Sequence, residues 1–113
     1  MTETYLLPSE PIDSIDAWLA TDVGGLGIAA AQRLGPAATI EAITASGLRG
    51  RGGGGFLTGR KWAGIASAEG STRYLVVNAA EGEPGVFKDR ALLRANPYQV
   101  VEGLIIAAFA VGA

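Results

Sequence analysis

Seven of the 17 glycines in this chain lie between Gly47 and Gly59, in a segment that also carries four cations. The cations are Arg49, Arg51, Arg60 and Lys61. No acidic residue occurs from position 42 to position 68. Glycine backbone can turn several N–H groups toward one oxyanion, and neighbouring cations add favourable charge. The segment therefore indicates a phosphate site, although a mobile surface loop can have the same composition.

A second segment with polar side chains follows the apolar run of residues 74–78. That run predicts a strand buried on both faces of a parallel sheet, and α/β folds commonly bind ligands just beyond such strands. Asn78 offers a donor and an acceptor there, and Glu81 and Glu83 offer carboxylates. The alternative is a solvated acidic turn with surface ion pairs formed by Lys88, Asp89 and Arg90.

Two standard nucleotide motifs do not fit the glycine segment. Gly50, Gly52 and Gly55 match the dinucleotide fingerprint, but that motif follows a strand, and residues 36–45 predict a helix. The Walker A motif also fails, because Arg60 occupies its lysine position.

Other chemical interpretations of these residues are weaker. Glu81 and Glu83 could form the acid–base pair of a glycosidase, but two residues in a Gly/Pro turn need not face one substrate. Phe56 and Trp62 can stack on a planar ligand, but aromatic residues more often belong to the core.

Composition excludes several classes of site. The chain has no cysteine and no histidine, so it can form neither a disulfide, nor a thiolate-held iron–sulfur cluster, nor a Ser/His or Cys/His nucleophile. A zinc site would need carboxylates alone, and we predict no metal ligands. The net charge of −2 gives no support for a nucleic-acid partner. With 49% hydrophobic and 18% charged residues, the chain should bury a core.

The sequence predicts a cytoplasmic protein without direct membrane insertion. Residues 1–5 show neither the basic nor the apolar region of a signal peptide. The longest apolar run, residues 104–111, is far shorter than the ~20 residues of a membrane-spanning helix.

Cap signals and apolar spacing predict helices that would position these segments. The predicted helices cover residues 13–24, 36–45, 61–67, 87–94 and 96–111. In the last of these, Asn96 is the predicted N-cap and Pro97 the first helical residue. Because that helix is apolar on most sides, it needs burial against other elements, and we expect downstream structure to be missing.

Taken together, the two segments resemble a known family. Residues 46–62 resemble the flavin loop of the NADH-binding flavoprotein subunit of respiratory complex I, an NADH:quinone oxidoreductase. Relatives of that flavoprotein occur in NAD-linked formate dehydrogenases and hydrogenases. Residues 74–90 resemble the next signature of this family at the right distance, and the resemblance covers residues 36–113.

The resemblance implies FMN and NAD(H) as cofactors, with hydride passing from NADH to the flavin. The implied FMN-binding residues are Gly50, Arg51, Gly52, Gly53, Lys61, Asn78 and Glu81. Phe56 is expected to lie near the adenine of NADH, and Glu83 to help hold the nucleotide. No side chain is expected to be catalytic, because the flavin carries the chemistry.

Several features depart from the family pattern. Ala80 stands where the family usually has Asp, Gly54 replaces an Ala, and Leu57 stands where Pro or Ser is common. The second glycine-rich stretch, the ubiquitin-like insert and the four-cysteine domain are absent, so an iron–sulfur cluster is expected in the full-length family but not in this chain.

The resemblance implies an α/β fold, a partial and truncated FMN-binding sandwich with a short parallel-leaning sheet and flanking helices. Residues 1–35 would form a lead-in with one short helix, and residues 36–113 the N-terminal portion of the FMN/NADH-binding domain. The expected function is part of an FMN-dependent NADH dehydrogenase module, with other subunits of a redox complex as partners. The alternatives are a split binding module that needs a partner chain, and an inactive remnant.

Overall fold

The computed structural model describes residues 6–113, which contain six helices and no strand. The helices are α1 (Ile15–Leu19), α2 (Leu26–Leu34), α3 (Pro36–Ala45), α4 (Thr58–Ala66), α5 (Lys88–Ala95) and α6 (Pro97–Val111). Residues 1–5, where the sequence shows no signal peptide and the lead-in begins, lie outside the described residues.

Helix α6 is the centre of the fold, because each of the other five helices packs against it. Its Ala107, Ala110 and Val111 are buried, together with Ala31 of α2 and Ile40 of α3. The small side chains of the three alanines allow helix axes to approach closely. The predicted need to bury the apolar α6 is therefore met in part by helices that precede it in the chain.

The α/β fold class predicted from the sequence is wrong for this structure. Residues 74–78 form no strand, and among residues 6–113 the sheet-like pairing is limited to one antiparallel bridge between Arg49 and Leu57. A strand forms only when a neighbouring segment accepts and donates its backbone hydrogen bonds. No described segment pairs with residues 74–78, and Tyr74 and Val76 are 85% and 84% exposed.

The predicted helices at residues 36–45, 87–94 and 96–111 are confirmed to within a few residues, and the one predicted at residues 13–24 is present but ends earlier, at Leu19. Ser14 caps α1 by accepting a hydrogen bond from the Ala17 N–H at 3.1 Å. Asn96 caps α6 by accepting from the Gln99 N–H at 3.1 Å, and Pro97 follows as the first helical residue. The helix predicted at residues 61–67 begins earlier, at Thr58.

Sequence reasoning missed α2, which lies inside the expected lead-in. The Glu102 side chain, reaching across from α6, caps this helix. Its carboxylate accepts hydrogen bonds from the N–H groups of Gly25, Gly27 and Ile28 at 2.9, 3.0 and 3.2 Å. It also accepts from the Trp18 indole at 2.9 Å, so it joins α1, α2 and α6.

The surroundings of Glu102 set its protonation. Burial alone raises the pKa of this carboxyl, but the hydrogen bonds from Gly25, Trp18, Ile28 and Gly27 outweigh it. The pKa therefore lies below its ordinary value, and Glu102 is ionised at neutral pH.

Helices α3 and α4 cross at a glycine. A Cβ added to Gly59 would lie 2.1 Å from Thr44 Oγ1 and 2.7 Å from Thr44 Cα, so no larger residue fits without a shift. This crossing fixes the start of α4, and with it the end of the glycine-rich segment, against the helical core.

Candidate functional site

Residues 49–57 form a loop, here called the glycine loop, whose two ends are held together by backbone hydrogen bonds. Gly50 N–H donates to the Phe56 carbonyl at 2.9 Å, and Thr58 N–H donates to the Leu48 carbonyl at 2.9 Å. The guanidinium of Arg49 donates to the Gly55 carbonyl at 2.9 Å and braces the loop from within. From the sequence, Arg49 was recognisable only as a cation.

The glycines within the loop fall into two groups, according to whether the backbone conformation requires glycine. Gly53 and Gly55 have φ of 107° and 58°, a region that residues with a Cβ rarely adopt. Gly52 and Gly54 have neither a positive φ nor any heavy atom within 4 Å of an added Cβ. The fold itself gives no reason for glycine at Gly52 and Gly54. Their bare backbone faces open space, where a ligand could approach it closely.

The glycine loop ends at the positive end of α4. The N-cap residue Leu57 supplies no side-chain acceptor, and the N–H groups of Gly59 and Arg60 have no acceptor among residues 6–113. Arg60 and Lys61 place two positive charges in this first turn, where the helix dipole favours anions. Such an arrangement is suited to an anion.

Phe56 stands beside these cations. Phe56 is 49% exposed, and Lys61 Nζ and Arg60 Cζ lie 5.5 Å and 5.9 Å from its ring centroid. Both distances fall within the range of cation–π contact. The structure thus brings Gly50, Arg51, Gly52, Gly53, Phe56 and Lys61 onto one exposed loop and the helix turn that follows it.

The second predicted segment is a separate loop, residues 78–87, that leads into α5. Asn78 is exposed, and its Oδ1 accepts a hydrogen bond from the Ala80 N–H at 3.1 Å, a local turn that the side chain stabilises. Asn78 also lines a cavity of about 130 Å³ together with Asp89 and Leu92 of α5 and Val100 of α6.

Glu81 is turned away from solvent. Its φ is 50°, in the left-handed region, and its side chain is only 3% exposed. One carboxylate oxygen accepts from Arg90 Nε at 3.0 Å, and the other accepts from the Asp89 backbone N–H. Glu81 therefore caps the first turn of α5. Of the surface pairs that the sequence suggested, Lys88–Asp89 is present at 2.8 Å.

Glu83 remains exposed on the same loop, and its backbone carbonyl accepts a hydrogen bond from Val86 N–H at 3.3 Å. No hydrogen bond or ion pair joins the glycine loop to residues 78–87 in the described part of the chain. Helix α6 connects the two segments, because α4 and α5 both pack against it.

A cavity lies away from both segments. It measures about 350 Å³ between α1, α2 and α6, and its lining includes Ile15, Leu19, Val101 and Ile105. None of the sequence-predicted site residues lines it.

Among residues 6–113, no group of three acidic, histidine or cysteine side chains could hold a metal ion. Within the same range, no helix has both the length and the hydropathy needed to cross a membrane.

Comparison with known proteins identifies a family domain in this chain. Residues 43–113 match the family model described as the Nuo51 FMN-binding domain. The match includes the glycine loop, the loop of residues 78–87 and helices α4 to α6. The resemblance that the two sequence segments indicated is thereby confirmed.

Individual relatives agree with the family match. The chain is 50% identical over 78 residues to an NADH-quinone oxidoreductase subunit of Rhizobium meliloti (strain 1021), covering 69% of this chain and 18% of the relative. It is 49% identical over 85 residues to the corresponding NADH-quinone oxidoreductase subunit of Streptomyces coelicolor, covering 75% and 19%. It is 42% identical over 119 residues to the NAD-reducing hydrogenase HoxS subunit alpha of Cupriavidus necator, covering 94% and 20%. The chain thus spans about a fifth of the length of these relatives.

Proposed function

Because the chain belongs to the Nuo51 FMN-binding domain family, we propose that it forms part of an FMN-dependent module that oxidises NADH. The names of its relatives support this, since they are subunits of an NADH-quinone oxidoreductase and of an NAD-reducing hydrogenase. Residues 36–113 are the proposed portion of the FMN/NADH-binding domain, and residues 1–35 precede it.

The observation that carries the proposal is the glycine loop at the start of α4. Gly52 and Gly54 leave backbone exposed without a structural need of the chain itself. Two first-turn N–H groups of α4 lack acceptors among the described residues, next to Arg60 and Lys61. A phosphate monoester such as that of FMN would supply both the acceptor oxygens and the negative charge.

The proposed roles follow from this fit. Gly50, Arg51, Gly52 and Gly53 line the side of the loop that faces FMN, and Lys61 neutralises its phosphate. Bound FMN supplies the acceptor for a hydride from NADH. The residues of the chain bind and orient the two molecules, and no side chain is proposed to be catalytic.

The second segment completes the proposal. The Asn78 amide nitrogen makes no hydrogen bond among residues 6–113, so it could donate to a polar edge of the flavin. Glu81, on the same loop, is a further proposed FMN contact, and its carboxylate also accepts a hydrogen bond from the first turn of α5. Phe56 offers an exposed ring for stacking on the adenine of NADH, and Glu83 offers an exposed carboxylate for hydroxyl donors of the nucleotide.

A second candidate function is a binding module that is complete only with a partner chain. The exposed apolar residues Tyr74 and Val76 favour it, because large exposed apolar surface commonly marks a contact site.

In either case the proposed partners are other subunits of a redox complex. The chain has no cysteine, so an iron–sulfur cluster held by thiolates would have to lie on another part of the complex. The proposed location is the cytoplasm, where NADH is available.

Removing the positive charge of Lys61 tests the proposed phosphate site. Titration of FMN into the purified chain, followed by flavin fluorescence, should show saturable binding. Lys61→Gln should weaken it about tenfold, the effect of losing a charged hydrogen bond. Arg33→Gln removes an equal charge from the exposed end of α2 and should leave the dissociation constant unchanged. Equal effects of both substitutions would mean that the anion site lies elsewhere.

A further inference from the structure

Arg90, on the first turn of α5, contacts the loop of residues 78–87 at two points. Its Nε donates to the Glu81 carboxylate at 3.0 Å, and its Nη2 donates to the Val86 carbonyl at 3.1 Å. The loop between these two acceptors is therefore closed by one guanidinium group. A guanidinium can do this because its donors point in fixed, divergent directions.

The Glu81 carboxylate is the other half of this arrangement. Its side chain is only 3% exposed, and both of its oxygens are engaged. Its backbone lies in the left-handed region at φ 50°, which is costly for a residue with a Cβ. Such a conformation persists only where surrounding contacts hold it, and here those contacts come from Asp89 and Arg90.

The direction of this loop depends on the same contacts. Asn78 and Glu83 lie on either side of Glu81, and neither side chain is hydrogen-bonded to α5 or α6. The Glu81 side chain is thus the polar link between residues 78–83 and α5 in the described structure.

Building on the proposed function, we propose that Arg90 is a positioning residue for the flavin site. It holds Glu81 against the first turn of α5 and thereby fixes the course of residues 78–86, which present Asn78 and Glu83. Arg90 does not contact the flavin or the nucleotide in this proposal. Its side chain is 65% exposed, so it stabilises the loop from the solvent side.

The first test needs no ligand. Amide hydrogen exchange at Asp89, measured by NMR, reports directly on the hydrogen bond to Glu81. Arg90→Gln and Glu81→Gln should each accelerate exchange of this amide severalfold. Arg94→Gln removes an equal charge from the exposed end of α5 and should not. Unchanged exchange in Arg90→Gln overturns the proposal.

The second test uses FMN as the probe. Arg90→Gln should weaken FMN binding about threefold or more relative to Arg94→Gln, and its effect should not add to that of Glu81→Gln, because the two residues act as one unit. The visible circular dichroism of bound FMN should change in Arg90→Gln and return toward that of the unmodified chain in Arg90→Lys, which keeps the charge.

Three outcomes are distinguishable. Additive losses, together with a reduced salt dependence of FMN binding in Arg90→Gln alone, would show that Arg90 contacts the ligand directly, and the positioning role would be wrong. Normal FMN binding and an unaltered flavin spectrum in Arg90→Gln would also overturn it. Failure of the unmodified chain to bind FMN would count against the proposed function instead, and the exchange of the Asp89 amide would then decide whether Arg90 holds Glu81 in this way.

Discussion

At the scale of single residues, Glu102 is the clearest case of a side chain whose role only the fold reveals. It is 8% exposed and accepts four hydrogen bonds, from three neutral backbone groups and one indole. In the sequence it is one acidic residue in an apolar helix. Its partners lie 74 to 84 positions away, so no local pattern could identify them.

We predict that Glu102→Gln destabilises the chain by about 2–3 kcal/mol at neutral pH. Each carboxylate oxygen of Glu102 accepts two hydrogen bonds, and in glutamine an NH₂ group, which cannot accept, replaces one of these oxygens. The ionised carboxylate stabilises the fold fully above its ordinary pKa of 4.5, and this contribution is lost as the pH falls through the lowered pKa of the folded state. The variant should therefore differ from the unmodified chain less and less as the pH falls below 4.5.

Urea unfolding followed by circular dichroism at several pH values measures this. Glu41→Gln, on the exposed face of α3, is the control and should behave like the unmodified chain. A constant difference between Glu102→Gln and the unmodified chain down to strongly acidic pH would contradict the assigned role of the carboxylate.

The glycines of the glycine loop allow a second prediction at this scale. Gly52→Ala places a Cβ in open space, so we expect the free energy of unfolding to change by less than about 0.5 kcal/mol. FMN binding should nevertheless weaken about tenfold, because the methyl group would stand where the ligand approaches the backbone. Gly103→Ala, also without neighbours, is the control in α6. Unaltered FMN affinity in Gly52→Ala would remove this loop from the site.

At the scale of elements, the α3–α4 crossing positions the glycine loop. Gly59→Ala should destabilise the chain by about 1–3 kcal/mol, because its Cβ would overlap Thr44. Gly64→Ala, further along α4 and without neighbours, should stabilise it by about 0.5–1 kcal/mol through the higher helix propensity of alanine. Thermal unfolding of the two variants should move in opposite directions. Stabilisation of both variants would mean that helix propensity, and not the crossing, determines the effect.

The junction of α5 and α6 gives a further prediction. Asn96 is 5% exposed and caps α6, so Asn96→Ala should cost about 1 kcal/mol of stability, and Asn96→Asp, which keeps the acceptor, should cost much less. Urea midpoints compare the two. Equal losses would indicate that packing, rather than the cap, makes Asn96 important.

Local signals predicted most of these elements, and their limits explain the errors. Ser14, Pro36 and Asn96 act within one helical turn, so the sequence alone identifies the helix starts that they set. Helix α2 has glycine at its N-cap and takes its acceptor from Glu102, so its start carries no local signal. Residues 74–78 have the composition of a strand, but pairing depends on a second segment that local composition cannot supply.

At the scale of the whole molecule, a small helical core built on α6 carries two exposed loops with different chemistry. The glycine loop is cationic and has backbone donors, and residues 78–87 supply amide and carboxylate groups. The sequence indicated the family correctly. It could not indicate that the Glu81 carboxylate accepts hydrogen bonds from Arg90 and Asp89, because those contacts depend on where α5 lies in the fold.

The most direct test of the central claim is FMN binding by the unmodified 113-residue chain, measured by equilibrium titration of flavin fluorescence. We predict saturable binding of one FMN per chain, weakened by inorganic phosphate, which competes for the start of α4. A folded chain that leaves flavin fluorescence unchanged at all concentrations would contradict the proposal that these loops alone form a flavin site.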